Sequence, residues 1–432
     1  MSKYYKSPVI GIDVSANFSM VCILAPNGDI YKKPFKVNHD SDGFNLLLQK
    51  IRKTEDEFST KSVTFMEATG IYHLTLFCFL KDNKVDCFVI NPLVTNCNKN
   101  KSIRKVKNDK VDSITIAKTG KFENIKASNY LNIDVYLLRD LCREYYNLVD
   151  TKSNIKKQIS SAIRIAFPGY QTVFSDTTGK TSLNVLKSYN TPKKIIDTPK
   201  EEIINFLEKS SRKGNVWARK TYNKLITAAD NANKIGIKSY TFTSKITRQL
   251  KLLETYETEI DSLVKEIKET LNSNNISDSF RKSVDLISSL PGVGFITSVA
   301  LASEIGDIKR FKKPKQLVAF FGIDPSVSQS GKFNSTKNVM SKRGTSYGRR
   351  ALYAVALTSV RKKRNGELNN PVLFNYYKTS LQGKKKKVAL VAIMHKLLKY
   401  IFAILRDEKP YEIRDPKLHS KMYLENNSRL IA

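Results

Sequence analysis

Short apolar runs, separated by turn residues, dominate the start of the chain. Five of these runs predict strands: residues 9–14, 18–24, 30–37, 63–67 and 86–90. Three others have helical spacing: residues 44–51, 72–80 and 111–117. The sequence Pro-Asn-Gly-Asp at residues 26–29 predicts a tight turn between the second and third strands. The order βββαβαβα predicts an α/β domain over residues 1–125, with helices packed on a mixed sheet.

The middle of the chain, residues 126–280, has the spacing of long helices. One segment carries apolar or aromatic residues three or four apart, interrupted only at Lys152: Leu141, Tyr145, Leu148, Ile155, Ile159 and Ala162. Another repeats every seven residues, at Ile246, Leu253, Ile260 and Ile267. These patterns predict two long helices and fit a coiled coil as well as an ordinary bundle. Residues 168–199 are rich in Gly, Ser, Thr and Asn and predict a loop, and residues 200–210 predict a polar helix.

Residues 281–405 predict a mainly helical C-terminal domain, and residues 406–432 a polar tail. The sequence Leu-Pro-Gly-Val-Gly at residues 290–294 lies between two apolar helices. Such a turn is typical of a helix-hairpin-helix motif, in which backbone amides hold a DNA phosphate. Gly292 and Gly294 are therefore candidate nucleic-acid contacts, and a plain turn between helices is the alternative.

The composition points to a polyanionic partner. Lys and Arg number 74 against 40 Asp and Glu, a formal net charge of +34. Lys105 and Lys107 belong to a basic cluster over residues 99–110, and they are predicted to contact nucleic acid. A solvated charged face is the plainer alternative. The polar amino terminus predicts no signal peptide, and no run of about 18 apolar residues is found. We therefore expect a cytoplasmic protein with no membrane partner.

Four acidic residues suggest chemistry on that partner. Asp13 and Glu67 each end an apolar strand, and Asp109 and Asp112 open a helix three residues apart. Carboxylates placed in this way converge on one point and suit a hard divalent cation. Two such ions can activate an attacking oxygen and stabilise a leaving oxygen on a phosphodiester. The five cysteines form no CxxC pair, which predicts reduced thiols without a zinc site or disulfide framework.

A second group of residues lies in the C-terminal domain. Ser330 and Gly331 precede a series of cations at Lys342, Arg343, Arg349 and Arg350. Glycine lets the backbone approach a phosphate, and arginine binds phosphate oxygens bidentately. From chemistry alone, the plainer interpretation is a loop that contacts phosphate without reacting with it.

Both groups resemble one known family. The four acids, with residues 11–13 and 107–113, resemble the DEDD transposases, an insertion-sequence family that includes the Piv-type DNA invertases. Residues 290–294, 321–325, 330–331 and 341–344 resemble the C-terminal transposase domain of that family, in the same order. These blocks cover rather less than half of the chain, and the polar insert near residues 168–240 departs from the family.

The resemblance implies a fold, a chemistry and partners. The N-terminal domain would be RNase H-like (RuvC-like) and would hold Mg²⁺, or alternatively Mn²⁺, with the four acids. Ser330 would attack DNA and form a phosphoserine link, with Ser328 and Ser341 as its rivals. A structured guide (bridge) RNA would pair with both DNAs. A homo-oligomer, either a dimer or a tetramer, would join the acids of one protomer to the serine of another.

Several functions therefore compete. A DNA transposase or recombinase leads, and a site-specific DNA invertase shares its chemistry and differs only in the DNA arrangement. A RuvC-like structure-specific nuclease would need the four acids and no serine. A non-catalytic scaffold would need only the positive charge, and the placement of the four acids disfavours it.

Overall fold

The computed structural model describes residues 4–67, 71–90, 95, 108–123, 133–235, 237, 240–326, 329–330, 333–334 and 339–415. The chain divides into two compact units, Met1–Tyr136 and Leu137–Ala432. Each unit has a hydrophobic core of its own.

A five-stranded sheet forms the centre of the first unit. Its strands are β1 (Val9–Val14), β2 (Phe18–Leu24), β3 (Ile30–Asn38), β4 (Val63–Glu67) and β5 (Asp86–Ile90). Their spatial order is β3-β2-β1-β4-β5. Strand β1 pairs antiparallel with β2 and parallel with β4, so the predicted mixed sheet is confirmed. The predicted turn is also present, and Gly28 takes a φ of 97°, which a residue with a side chain rarely adopts.

Helices cover both faces of this sheet. They are α1 (Ser41–Glu57), α2 (His73–Asp82) and α3 (Asp109–Phe122). Residues of α1 and α2 share one core with alternate strand residues such as Ile10 and Ile12. Helix α3 packs on the other face, where Ile116 and Ala117 meet Val9 and Phe65. Because side chains alternate along a strand, the odd-numbered residues of β1 and β4 face α3.

Two long helices run through the middle of the chain, as the apolar spacing predicts. They are α4 (Ile133–Ala166) and α9 (Tyr240–Asn272). The C-terminal half of α4 and the N-terminal half of α9 share one core, which includes Ile159 and Leu250. An ion pair of 3.0 Å between Lys152 and Glu257 also joins these helices. The chain thus packs them together in a bundle, and coiled-coil pairing with another protomer stays a prediction.

The loop predicted for residues 168–199 is wrong. This segment contains a 3₁₀ turn (Tyr170–Thr172), α5 (Lys180–Ser188) and α6 (Pro192–Asp197). The next two helices are α7 (Lys200–Ser211), predicted from sequence, and α8 (Asn215–Ile235). Tyr170, Leu186 and Ile195 are buried in the core shared with α4 and α9. Residues 167–235, hereafter the insert, therefore form a folded helical layer.

The rest of the second unit is mainly helical, as predicted. Its helices are α10 (Asp278–Ser288), α11 (Phe295–Ile305), α12 (Pro314–Phe320), α13 (Ser346–Ser359), α14 (Pro371–Lys378) and α15 (Lys386–Asp407). A short ladder pairs β6 (Gln329–Ser330) with β7 (Phe333–Asn334). The start of the predicted polar tail is held in place, because the Tyr411 amide donates to Ser289 Oγ at 2.8 Å.

Among the described residues, helix α15 is the one segment whose hydropathy resembles that of a membrane span. By length and composition, Lys386–Asp407 is apolar enough to cross a membrane. More than half of its most apolar stretch is buried in the second unit, against α10, α12, α13 and α14. A helix surrounded by protein on most sides is apolar all round, so its hydropathy matches that of a membrane span.

Candidate active site

Asp13 and Glu67 occupy neighbouring positions at one end of the sheet. The parallel strands β1 and β4 pair through Ile12 and Met66, and the two acids each follow one residue later. Adjacent strands lie about 4.8 Å apart, so the backbones of the two acids are close. Both are odd-numbered residues and face helix α3. Strand order and register thus bring together two residues that are far apart in sequence.

Helix α3 adds the other two acids from above this end of the sheet. Asn108 caps the helix by accepting from the Lys110 amide, and Asp109 and Asp112 lie in its first turn. A Cβ placed on Gly11 would lie 2.3 Å from the Ser113 carbonyl oxygen, so α3 rests directly on the backbone of β1. Asp112 is buried with Glu67, whereas Asp109 is exposed.

The four acids match a divalent cation in donor type. Carboxylate oxygens are the ligands that Mg²⁺ takes, and buried carboxylates need a compensating charge or hydrogen bond. Glu67 has one such bond, because Thr95 Oγ1 donates to its Oε2 at 2.9 Å. Among the residues that the structure describes, however, no three Asp, Glu, His or Cys side chains are close enough to hold a metal ion. Metal binding would require side-chain rotations that draw the carboxylates together.

Ser330 lies in the short ladder of the second unit, where its backbone pairs with Phe333. Gly331 and Ser328 lie outside the described residues, as do Lys105 and Lys107. The rival Ser341 is described, and its hydroxyl donates to Asp324 Oδ1 at 2.6 Å. That contact ties Ser341 to its own loop.

Two sequence profiles match the chain around these residues. The IS110-type DEDD transposase profile matches residues 10–168, which include all four acids. A profile described as the transposase IS116/IS110/IS902 family matches residues 284–372, which include Gly292 and Ser330. The chain belongs to the IS110 family of transposases. Nearly all of the insert and the whole of α9 fall between the two matches.

Curated relatives from this family show partial similarity. The pilin gene-inverting protein of Moraxella bovis is 28% identical over 32% of this chain and 42% of its own length. The transposase for insertion sequence element IS1111A of Coxiella burnetii is 29% identical over 29% of this chain and 33% of its own length. This chain thus spans less than half of either protein. A 42 kDa protein of element IS900 from Mycobacterium paratuberculosis is 22% identical over 71% of this chain and 73% of its own length.

The predicted basic contacts of this family member divide into two kinds. Lys342 and Arg343 are exposed, next to the turn at Gly322. Arg349 instead donates to the carbonyl oxygens of Phe321 and Gly344, at 3.1 and 2.7 Å. Arg350 donates to the Tyr146 carbonyl at 3.0 Å and pairs with an Asp150 carboxylate at 2.5 Å. Lys342 and Arg343 therefore remain available to a ligand, while Arg349 and Arg350 join parts of the second unit.

Thr95 contacts the acidic end of the sheet, Lys121 lies at the opposite end, and neither belongs to a recognisable sequence motif. Thr95 binds Glu67, as described above. Lys121 lies buried in α3 and donates to the carbonyl oxygens of Tyr5 and Ser7, at 2.8 and 2.9 Å. It thereby fixes the segment that leads into β1. Only the three-dimensional arrangement identifies either residue.

Proposed function

We propose that this chain is a DNA recombinase that moves an insertion element by cutting and rejoining phosphodiesters. The observation that carries the proposal is the register that puts Asp13 beside Glu67, under the first turn of α3. Such a site suits a phosphodiester substrate, and the excess of positive charge favours nucleic acid as that substrate. The family relationship makes DNA the nucleic acid that reacts.

In this proposal Asp13, Glu67, Asp109 and Asp112 hold Mg²⁺ or Mn²⁺. The N-terminal unit would then be of the RNase H-like (RuvC-like) type. When bound, a divalent cation stabilises the negative charge that develops on phosphoryl oxygens. The four carboxylates would hold the positive charge of the cation at one end of the sheet.

Ser330 is the proposed nucleophile. Its hydroxyl oxygen would form a bond to phosphorus, a deoxyribose oxygen would leave, and the hydroxyl proton would pass to a nearby acceptor. Lys342 and Arg343 are exposed and close in sequence, so they can neutralise the attacked phosphate. Because the acids and Ser330 belong to different units, the reaction needs both units, and a homo-oligomer could supply them from two protomers.

A structured guide RNA and a homo-oligomer complete the proposal. Both come from the family resemblance, and the positive charge is compatible with RNA as well as DNA. An invertase is the second candidate, favoured by the similarity to a pilin gene-inverting protein. The two differ in whether a segment moves elsewhere or reverses in place, which sequencing of the DNA products distinguishes.

Two variants of the full chain test this function. On a plasmid carrying the gene with its flanking DNA, we expect Asp13→Ala to abolish recombination and to lose Mn²⁺ binding, measured by titration calorimetry. We expect Ser330→Ala to keep Mn²⁺ binding and to lose the covalent protein–DNA adduct on denaturing gels. Asp86→Ala is the matched control, because Asp86 is exposed at the opposite end of strand β5.

The outcomes separate the alternatives. If Ser330→Ala still cuts DNA while Asp13→Ala does not, a nuclease that needs only the acids replaces the recombinase. Full recombination by Asp13→Ala would reject the acidic site altogether. An adduct mapped to Ser341 would move the nucleophile there, despite its bond to Asp324.

A further inference from the structure

A pocket of about 330 Å³ lies where helix α4 meets the loop that leads into α5. Each of its lining side chains is either a cation or carries a hydroxyl: Lys156, Lys157, Ser160, Ser161, Arg164 and Thr178. Such a lining offers hydrogen-bond donors and positive charge together, which suits an anion that has several oxygens. Neither the acidic site nor Ser330 uses it.

Helical geometry sets out these donors along α4. Lys156, Ser160 and Arg164 recur every four residues and share one face, with Lys157 and Ser161 beside them. At a rise of 1.5 Å per residue, the cations span about 12 Å of helix. Ile155 and Ile159, on the adjoining face of α4, are buried in the core of the second unit. This burial fixes the rotation of α4, so its cations stay on the pocket side.

The insert contributes one lining residue, Thr178, from the loop before α5. Asp176 Oδ1 accepts from the amide and the hydroxyl of Thr178, at 2.8 and 2.9 Å. Ser182 Oγ donates to the Thr177 carbonyl at 2.8 Å, which fixes the same loop to α5. The carboxylate of Asp176, the acid closest in sequence to Thr178, is thus engaged within the turn. The loop is ordered by its own hydrogen bonds, and a ligand need not order it.

We propose that this pocket binds phosphodiester groups of a nucleic acid. The choice of nucleic acid as partner rests on the proposed function. Within the described part of the chain, none of Lys156, Lys157 and Arg164 forms an ion pair, so their charge is not offset by a carboxylate partner. Phosphate contacts of this kind add affinity without reading sequence. Five of the six lining residues belong to α4 within the first family-matched segment, and Thr178 of the insert lies outside both matches.

The test compares two triple variants of the full chain. The pocket variant replaces Lys156, Lys157 and Arg164 by Gln, and the control variant replaces Lys193, Lys194 and Lys209 by Gln. The control residues are exposed on the insert outside the pocket, so both variants lose the same charge. Fluorescence anisotropy measures binding to labelled duplex DNA, duplex RNA and single-stranded RNA of equal length, at several salt concentrations.

We expect the pocket variant to show a slope of log affinity against log salt that is shallower by about 3, one for each phosphate contact. The control variant should keep a slope close to that of the unmodified chain. The probe for which the slopes of the pocket and control variants differ most identifies the pocket's ligand as DNA or RNA. Equal slopes for the two variants on all three probes would overturn the proposal.

Two single substitutions test the pocket even if the triple variant fails to fold. Ser161 is exposed, and Ser161→Glu would put a negative charge in the pocket, whereas Ser161→Gln adds similar bulk without charge. Weaker binding by the Glu variant alone supports the pocket, and equal binding by both counts against it. Since the readout is binding, failure here leaves recombination untouched, and loss of recombination in Asp13→Ala leaves the pocket untouched.

Discussion

At the scale of single residues, Lys121 connects the start of the chain to the helix that carries two of the acids. Replacing it with Met would leave the carbonyl oxygens of Tyr5 and Ser7 without their donor. Since a hydrogen bond from a charged group contributes roughly 1.5–3 kcal/mol, we expect Lys121→Met to destabilise the first unit by about that amount. Urea unfolding, with hydrogen exchange of β1 to assign the transition, measures the loss. Lys118→Met, on the exposed side of the same helix, should change stability little. Equal effects of the two substitutions would contradict this role of Lys121.

Single residues also mark the limit of prediction from the sequence. Asp13 and Glu67 could be placed together from strand order, because a carboxylate that ends each of two neighbouring strands lies at a defined edge. The partners of Arg349 and Arg350 could not be foreseen, since they are backbone carbonyls and a carboxylate brought near by tertiary packing. Burial lowers the pKa of the Arg349 guanidinium, which agrees with its position among carbonyl groups.

At the scale of elements, the turn between α10 and α11 yields a matched pair of substitutions. Gly292 has a φ of 88°, and a Cβ there would lie 2.7 Å from Thr358 Cγ2. Gly294 has a φ of −90° and open space around it. We therefore expect Gly292→Ala to destabilise the second unit by about 1–2 kcal/mol, and Gly294→Ala, at the N-cap of α11, to destabilise it less.

The same pair tests the proposed phosphate contact. If backbone amides of this turn approach a phosphate, the added methyl group of Gly294→Ala should weaken nucleic-acid binding while the variant stays folded. Thermal unfolding and anisotropy titrations of both variants measure the two effects separately. Unchanged binding by a stable Gly294→Ala would make this segment a plain turn between helices.

The insert shows why some elements were missed. Its first part is rich in turn residues, so the pattern predicted a loop. Thr191 nevertheless caps α6 by accepting from the Lys194 amide, with Pro192 at the first helical position, where proline is favoured. These helices are short and are held mainly by burial against α4 and α9. Tertiary packing of this kind overrides local propensity, whereas the strands of the first unit carry their pattern locally.

At the scale of the whole molecule, the two units have separate cores, and we expect them to lose structure separately. Leu47 is fully buried in the core of the first unit, and Leu225 in that of the second. Truncating a buried Leu to Ala costs about 2–5 kcal/mol, because apolar contacts are lost and a cavity forms. Leu47→Ala should speed hydrogen exchange in β1–β5 and leave α9 protected, and Leu225→Ala should do the reverse. Mass spectrometry of exchanged peptides measures both units in one experiment.

Because the acids lie in the first unit, Leu225→Ala should also retain Mn²⁺ binding. If either variant lowers protection equally in both units, the chain unfolds as one cooperative body, and the acids and Ser330 must then be treated as parts of a single fold.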